Sequence, residues 1–199
     1  MRYPHDIFLD SKVRAIAKEK TVYDIGGGPG FQKWLKQYKP LFANVDYKTV
    51  DYNANLEPDI VGDIHHLPFE DGSIPAIICY AVLAHVRDPI RAVEEMQRVL
   101  VPGGKLLVYV PSIYPYIAAK GKYPDYWRFF DDTIEMLFGG WSRYEYVKVG
   151  GYFKALFFFI PYQHRIRWLI DPLSHVLDTL FRTKERHTTS GYIIYATKI

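Results

Sequence analysis

Thr21-Val22-Tyr23-Asp24-Ile25-Gly26-Gly27-Gly28-Pro29-Gly30 is the stretch on which the fold turns. Five residues of strand-forming character stop abruptly at four glycines and a proline. That is the pattern of a short buried strand running into a tight turn. Glycines at such a turn let the backbone approach a ligand with no Cβ in the way. A dinucleotide fingerprint requires G-x-G-x-x-G. Here glycines stand at 26, 28 and 30, and Phe31 occupies the place of the third fingerprint glycine. An acid, Asp24, precedes the loop.

Outward from this loop, strands and helices alternate. Upstream, Ile7, Phe8, Val13, Ile16 and Ala17 have the spacing of an amphipathic helix. Downstream, Phe31 to Tyr38 reads as a helix closed by Pro40, and Leu41 to Val45 as a second strand ending at Asp46. Asp59 to Val61 reads as a short third strand and Ala76 to Tyr80 as a fourth. Pro89 opens a helix that runs to Leu100. Val101-Pro102-Gly103-Gly104 breaks it, and a fifth strand spans Lys105 to Val110. Residues 111–130 are aromatic and irregular. A short helix (Thr133 to Phe138), a strand (Tyr144 to Val149), a mixed segment (151–188) and a closing strand (Tyr192 to Thr197) follow. This alternation indicates an α/β doubly wound parallel sheet with helices on both faces.

Composition fits one globular unit of 199 residues, with 49% hydrophobic and 24% charged residues. The longest apolar run, Ala76 to Ala84, is far short of the about 20 residues needed to span a bilayer. Met1 to Asp6 lacks the apolar stretch of a signal peptide. The expectation is a cytoplasmic protein. A single cysteine, Cys79, rules out an internal disulfide. The net charge of +3 does not call for nucleic acid, and none is expected as a partner. Its distribution is uneven: residues 1–150 carry 18 basic against 19 acidic side chains, and residues 151–199 carry 7 against 3.

Asp46 lies 22 residues beyond Asp24. At a strand end, an acid takes the hydroxyls of a ribose in charge-assisted hydrogen bonds, or simply faces water. His65 and His66 invite a metal, but adjacent side chains diverge and no Cys, Asp or Glu cluster completes a site, so no metal is expected.

Four blocks in order now resemble the class I S-adenosylmethionine-dependent methyltransferases of the type 11 group. They are Val22 to Gly30, Asp46, Gly62-Asp63-Ile64-His65-His66-Leu67-Pro68-Phe69, and Arg98 to Leu106. The similarity covers roughly residues 20–112. It implies a Rossmann-like, seven-stranded, mostly parallel sheet in one domain, residues 1–199. Within it lie an N-terminal helix (1–20), a cofactor-binding half (21–110) and an acceptor-side half (111–199) with an aromatic insertion at 151–188. It also implies S-adenosyl-L-methionine as cofactor. Asp24, Gly26, Gly27, Gly28 and Gly30 would then pass under the methionine part, Asp46 would bind the ribose and Tyr47 would lie near the adenine. Asp63 would accept from the adenine amino group beside the Ile64 backbone, and Tyr80 and Ala81 would border the methyl group. The chain departs from the pattern at Ala84, where relatives commonly carry an acid, and at Pro75, where they carry Asp. Asp125-Tyr126-Trp127-Arg128-Phe129 resembles a block of relatives associated with polysaccharide and glycan gene clusters.

Methyl transfer to a hydroxyl also needs a base, and His85 stands nearest the fourth strand. The alternative is a histidine that packs the start of the next helix. Tyr116, Asp125, Tyr126 and Arg128 are candidates to hold a small-molecule or glycan acceptor through a hydroxyl or amine. Equally, Arg128 pairs with Asp131 or Asp132. Two rival functions stand beside this one: a non-catalytic S-adenosylmethionine-binding scaffold, and an NAD-dependent oxidoreductase, which Phe31 argues against. Residues 151–188 set aromatic and aliphatic residues beside Arg165, Arg167, Arg182, Lys184 and Arg186. That face is expected to cover the sheet or form a homodimer, in preference to lying on an anionic membrane surface.

Overall fold

The computed structural model describes residues 3–31, 33–119, 123–183 and 187–199, so Lys184 and Arg186 lie outside the described residues. One sheet of seven strands has the order β3-β2-β1-β4-β5-β7-β6. Its strands are β1 (Thr21–Ile25), β2 (Asp46–Asp51), β3 (Ile60–Val61), β4 (Ile74–Tyr80), β5 (Leu100–Pro111), β6 (Arg143–Lys148) and β7 (Gly191–Thr197). β1 to β5 pair in parallel, and β7 runs antiparallel between β5 and β6. The expected mostly parallel, doubly wound sheet is what forms. The helices are α1 (Pro4–Ile16), α2 (Pro89–Val99), α3 (Asp131–Phe138), α4 (Tyr152–Phe157) and α5 (Arg167–Leu180).

Helices on both faces explain why the central strands are apolar throughout rather than alternating with polar residues. Side chains of β4 alternate between two cores. Ile77 and Cys79 join Met96 and Val99 of α2 and Ile134 and Phe138 of α3. Ala76 and Ile78 join Leu9, Val13 and Ile16 of α1. α2 begins where Asp88 Oδ1 accepts from the Arg91 amide at 3.0 Å and Pro89 fills the first turn.

The second strand corrects the sequence reading. Leu41 to Val45 is not a strand: Lys33–Phe42 is a 3₁₀ helix containing Pro40, and a turn follows it. Its apolar residues point into the core instead, where the Phe42 ring meets those of Phe31 and Tyr47 at 5.2 Å each. β2 is the polar-looking Asp46-Tyr47-Lys48-Thr49-Val50-Asp51, of which only the second half is buried. The register pairs Thr21 with Asp46 and Ile25 with Val50. Asp46 therefore starts the strand, and Asp51 ends it level with the glycine loop. Val101 to Gly104, read as a break, lies within β5, and a register irregularity between Ile74 and Ala76 absorbs the mismatch with β4. Pro75, the residue inside that irregularity, is where a missing amide donor costs least.

Beyond the β6 edge, α4 and α5 form a helical pair held by one carboxylate. Buried Asp178 of α5 accepts from the amides of Gly151 and Phe153 at 2.9 Å and of Lys154 at 3.3 Å, and from the Thr183 hydroxyl at 2.5 Å. The three amides are those the first turn of α4 leaves unpaired. Asp178→Ala should lower unfolding stability by about 3 kcal/mol, because it strands several buried donors at once. In native-state hydrogen exchange the amides of residues 151–154 should lose protection first. A loss below about 1 kcal/mol would mean that apolar packing alone seats the pair.

Candidate functional site

The carboxyl ends of β1, β2 and β4 open into a cavity of about 770 Å³, the expected ligand position in an open α/β sheet. Its floor is the glycine loop. Gly26 adopts φ +70°, and a Cβ there would sit 2.6 Å from the Val82 methyls. At Gly27 a Cβ would sit 2.1 Å from Asp24 Oδ2. The carboxyl of Asp24 is folded back beneath its own loop, so no other residue fits at 27. The Gly26 amide donates to the Val50 carbonyl at 2.7 Å, tying the loop to the end of β2.

Asp24 is 1% exposed. Burial pushes its carboxyl up from 3.8 to about 6, against the Tyr47 hydroxyl and the Phe31 amide, which favour the ionised form. The Tyr47 hydroxyl donates to Asp24 Oδ2 at 2.6 Å, and burial beside that carboxylate keeps the phenol protonated. Oδ1 is buried with no hydrogen-bond partner among the described residues. Tyr47, expected near the adenine, props Asp24 and stacks on Phe31 at 4.0 Å, and it is not among the residues that line the cavity.

Asp46 is likewise corrected. It lies five residues from Asp51 along β2, roughly 16 Å away at strand spacing, and pairs with Lys48 at 3.6 Å. Asp51, Tyr52 and Asn53 line the cavity in its place. Asp51 is buried, and its Oδ1 accepts from the Asn53 amide at 3.0 Å. Val50-Asp51-Tyr52 repeats the tripeptide Val45-Asp46-Tyr47 five residues later. That repetition was the available signal, and strand register decides between the copies.

Asp63 and Ile64 line the opposite wall. Asp63 Oδ1 accepts from the His65 amide at 2.9 Å and contacts His65 Nδ1 at 2.6 Å. Desolvation, the largest single effect, raises the Asp63 carboxyl, but the His65 bonds together with the nearby His65 and His66 outweigh it and hold the carboxyl below its usual value. His65 Nε2 accepts from the Asp88 amide at 3.3 Å, latching this loop to the start of α2. Arg98 grips the same loop, donating to the carbonyls of Leu67 and Phe69 and to Glu95. The histidine pair is therefore structural at His65. Among the described residues no group of three or more His, Cys, Asp or Glu side chains forms a metal site.

Tyr80, Ala81 and Val82 close the inner wall. Ala81 holds φ +65°, a strained conformation for alanine, at the point where β4 turns away. Its amide donates to the Tyr109 carbonyl at 3.0 Å.

His85 also lines the cavity. Its Nδ1 lies 2.5 Å from the Pro124 carbonyl. A carbonyl only accepts, so Nδ1 carries the proton, and in the neutral ring Nε2 is the basic nitrogen. The loop that supplies Pro124 is clasped in place. Arg128 pairs with Asp125 through two contacts of 2.7 Å and also donates to the carbonyls of Tyr114, Pro115 and Trp127. Asp125 Oδ2 accepts from the Ile117 amide, and Trp127 Nε1 donates to the Val86 carbonyl. The Ala84 carbonyl accepts from the amides of Tyr126 and Trp127. Asp125 and Arg128 thus hold the loop rather than face the cavity, and the partner of Arg128 is neither Asp131 nor Asp132. Tyr116 lies outside the cavity wall, whereas Tyr123 and Tyr126 form part of it. Ala84 is fully buried.

A second cavity, of about 360 Å³, lies between the N-terminal residues, β6 and α5. Lys148 and Lys154, on its wall, are paired with Asp131 and Asp171.

Residues 23–108 match the family model Methyltransf_11, described as a methyltransferase domain. Probable tRNA methyltransferase 9B of Homo sapiens is 48% identical over 111 residues, covering 50% of this chain and 24% of that protein. A tRNA U34 carboxymethyltransferase of Campylobacter curvus is 26% identical over 132 residues, covering 55% and 43%. A crystal structure of an S-adenosylmethionine-dependent methyltransferase from Archaeoglobus fulgidus superposes with TM-score 0.62 at 13% identity, covering 96% of this chain and 92% of that one. The structural likeness speaks for the fold alone. The chain spans less than half the length of the curated relatives it matches first. Over residues 23–108 the chain is thus similar to a methyltransferase domain, and its strand order 3-2-1-4-5-7-6 and glycine loop give it the fold of the class I S-adenosylmethionine-dependent methyltransferases. S-adenosylmethionine is the cofactor of that class.

The raised Asp24 carboxyl fixes a linkage. Its protonated form is favoured by folding, so its stabilising contribution is full below pH about 4 and is lost as pH rises through about 6. At pH 7 Asp24→Asn should therefore raise the stability of the ligand-free chain by about 2–3 kcal/mol. The gain should vanish below pH about 4, as measured by urea unfolding across pH. A loss of stability at pH 7 would show that the Tyr47 and Phe31 bonds outweigh the burial.

Proposed function

We propose that this chain transfers a methyl group from S-adenosylmethionine to a hydroxyl of a small-molecule or glycan acceptor. The observation that carries this reading is His85, oriented by the Pro124 carbonyl so that its basic nitrogen is Nε2, on the wall of a cavity built on the glycine loop. Among the described residues, Asp24, Asp51 and Asp63 set three carboxylates around that cavity against one arginine, Arg87. This balance suits a ligand carrying a sulfonium, an ammonium and ribose hydroxyls.

In this reading the bound cofactor supplies an activated methyl on its sulfonium. Asp24 Oδ1, buried and lacking a partner, faces the methionine ammonium above Gly26, Gly27 and Gly28. Asp51 takes the ribose hydroxyls, Asp63 and the Ile64 backbone take the adenine edge, and Tyr80 and Ala81 flank the reacting methyl. Aligning acceptor and methyl accounts for most of the rate, and His85 removes the acceptor proton. Tyr123 and Tyr126 offer rings against which a sugar face packs. The names of the tRNA-methyltransferase relatives support a second reading, in which the acceptor is RNA.

Asp51→Asn should weaken S-adenosylmethionine binding by roughly 10- to 150-fold, the loss of one charge-assisted pair, whereas Asp46→Ala should leave it unchanged. Isothermal titration distinguishes them, and equal effects would remove Asp51 from the ribose site. For His85→Ala, single-turnover methylation should slow by roughly 10²- to 10⁴-fold with cofactor affinity intact; a drop below tenfold would make it a packing residue. Transfer of labelled methyl to a panel of hydroxylated sugars and to tRNA settles the acceptor. Label in tRNA alone would replace the glycan reading.

A further inference from the structure

Charge in the large cavity is divided between its two sides. Asp24, Asp51 and Asp63 come from β1, β2 and the segment after β3, the side that the proposed function gives to the cofactor. The segment leaving β4 supplies His85 and Arg87, and the loop facing it supplies Tyr123 and Tyr126. This is the side left for the acceptor, and among the described residues its fixed charge is positive.

Arg87 is a cation without a counter-ion. Among the described residues it makes no ion pair and no hydrogen bond. The acids that flank it are engaged elsewhere. Asp88, its neighbour in sequence, caps α2 by accepting from the Arg91 amide at 3.0 Å. Asp125, between two residues of the cavity wall, is spent on Arg128 and the Ile117 amide. Residues 120–122 lie outside the described set, and as Lys-Gly-Lys they bring no carboxylate to that loop.

The backbone on either side of Arg87 is pinned. Trp127 Nε1 donates to the Val86 carbonyl at 2.9 Å, and the Asp88 amide donates to His65 Nε2 at 3.3 Å. Val86 is extended, at φ −93° and ψ 152°. The Cα atoms of His85 and Arg87 therefore stand about 7 Å apart, and both side chains reach the cavity. A base and an unpaired cation at a fixed separation form a two-point site. His85 meets a hydroxyl, and Arg87 meets a charge further along the same molecule. The planar guanidinium fork fits a phosphate or a carboxylate bidentately. Arg87 is exposed, so it holds a free ion only weakly. The rings of Tyr123 and Tyr126 add the apolar contact that a sugar face offers, and the Tyr123 ring lies 4.5 Å from that of His85.

We propose that the acceptor is an acidic sugar, carrying a phosphate or a carboxylate near the methylated hydroxyl, and that Arg87 selects it. The proposal rests on hydroxyl methylation at His85.

The test is isothermal titration of the full chain loaded with S-adenosylhomocysteine. The probes are glucose, galactose and mannose, their 6-phosphates and their uronates. One acidic series should bind at least tenfold more tightly than the neutral sugars, and which series does so tells phosphate from carboxylate. Arg87→Met should erase that preference with the thermal midpoint and S-adenosylmethionine affinity unchanged, and Arg87→Lys should keep part of it. His85→Ala should retain the preference while slowing methyl transfer. A transfer rate that His85→Ala leaves intact would remove the hydroxyl reading and not the anion subsite. Equal binding of acidic and neutral sugars, or a preference that survives Arg87→Met, overturns the proposal. Weaker S-adenosylmethionine binding by Arg87→Met also overturns it, by assigning the arginine to the cofactor carboxylate. So does methylation of tRNA, without acidic-sugar binding, that Arg87→Met slows.

Discussion

The structure depends on a carboxylate buried beneath its own loop. Asp24 ends β1 with its side chain turned under Gly27, and this is why the strand must stop there and why the turn is built from glycine. Buried carboxylates are stable only when partnered. Tyr47 reaches from the neighbouring strand to supply a hydroxyl, and Phe31 and Phe42 keep water from that pair. The register of β2 on β1 is thereby fixed chemically as well as by the backbone ladder, and that register carries Asp51 to the cavity rim. Oδ1 of that carboxyl remains buried with no hydrogen-bond partner among the described residues. In the proposed reading, the group whose burial costs stability is also the one that would attract a positively charged ligand.

Much of this was legible from the residues. Where a segment is buried on both faces, as in β1, β4 and β7, continuous apolar runs announced the strand. Where Pro89 opens a helix, local chemistry announced its start. β2 was misread because an apolar run beside it, Leu41 to Val45, looked more strand-like than a strand whose first half faces water. Propensity says how a segment packs, and only pairing with β1 says which residues sit level with the glycine loop. Two identical Val-Asp-Tyr tripeptides could not be told apart without that register.

The loop before α3 teaches a related lesson. Asp125, Tyr126, Trp127 and Arg128 look like a cluster of ligand-binding chemistry, and most of it is spent holding the chain. An arginine donating to a carboxylate and three carbonyls has no capacity left for an acceptor. What the clasp yields is position: it delivers the Pro124 carbonyl to His85 and the rings of Tyr123 and Tyr126 to the cavity. Polar residues in an irregular segment must satisfy its backbone before they serve anything else, and sequence alone does not show which do which.

The placement of β7 between β5 and β6 has a consequence for how the molecule comes into being. Among the described residues β6 has no other strand partner, and residues 191–197 leave the ribosome after the other six strands. Until they do, β5 is an open edge and β6 has nothing to pair with, while β1 to β5 can already assemble in parallel. The cavity walls taken from the first half of the chain are thus available early in synthesis. The half bearing α4 and α5 is locked on only when the final strand slides between its two neighbours, so the sheet closes from the middle of one side rather than growing at its edge.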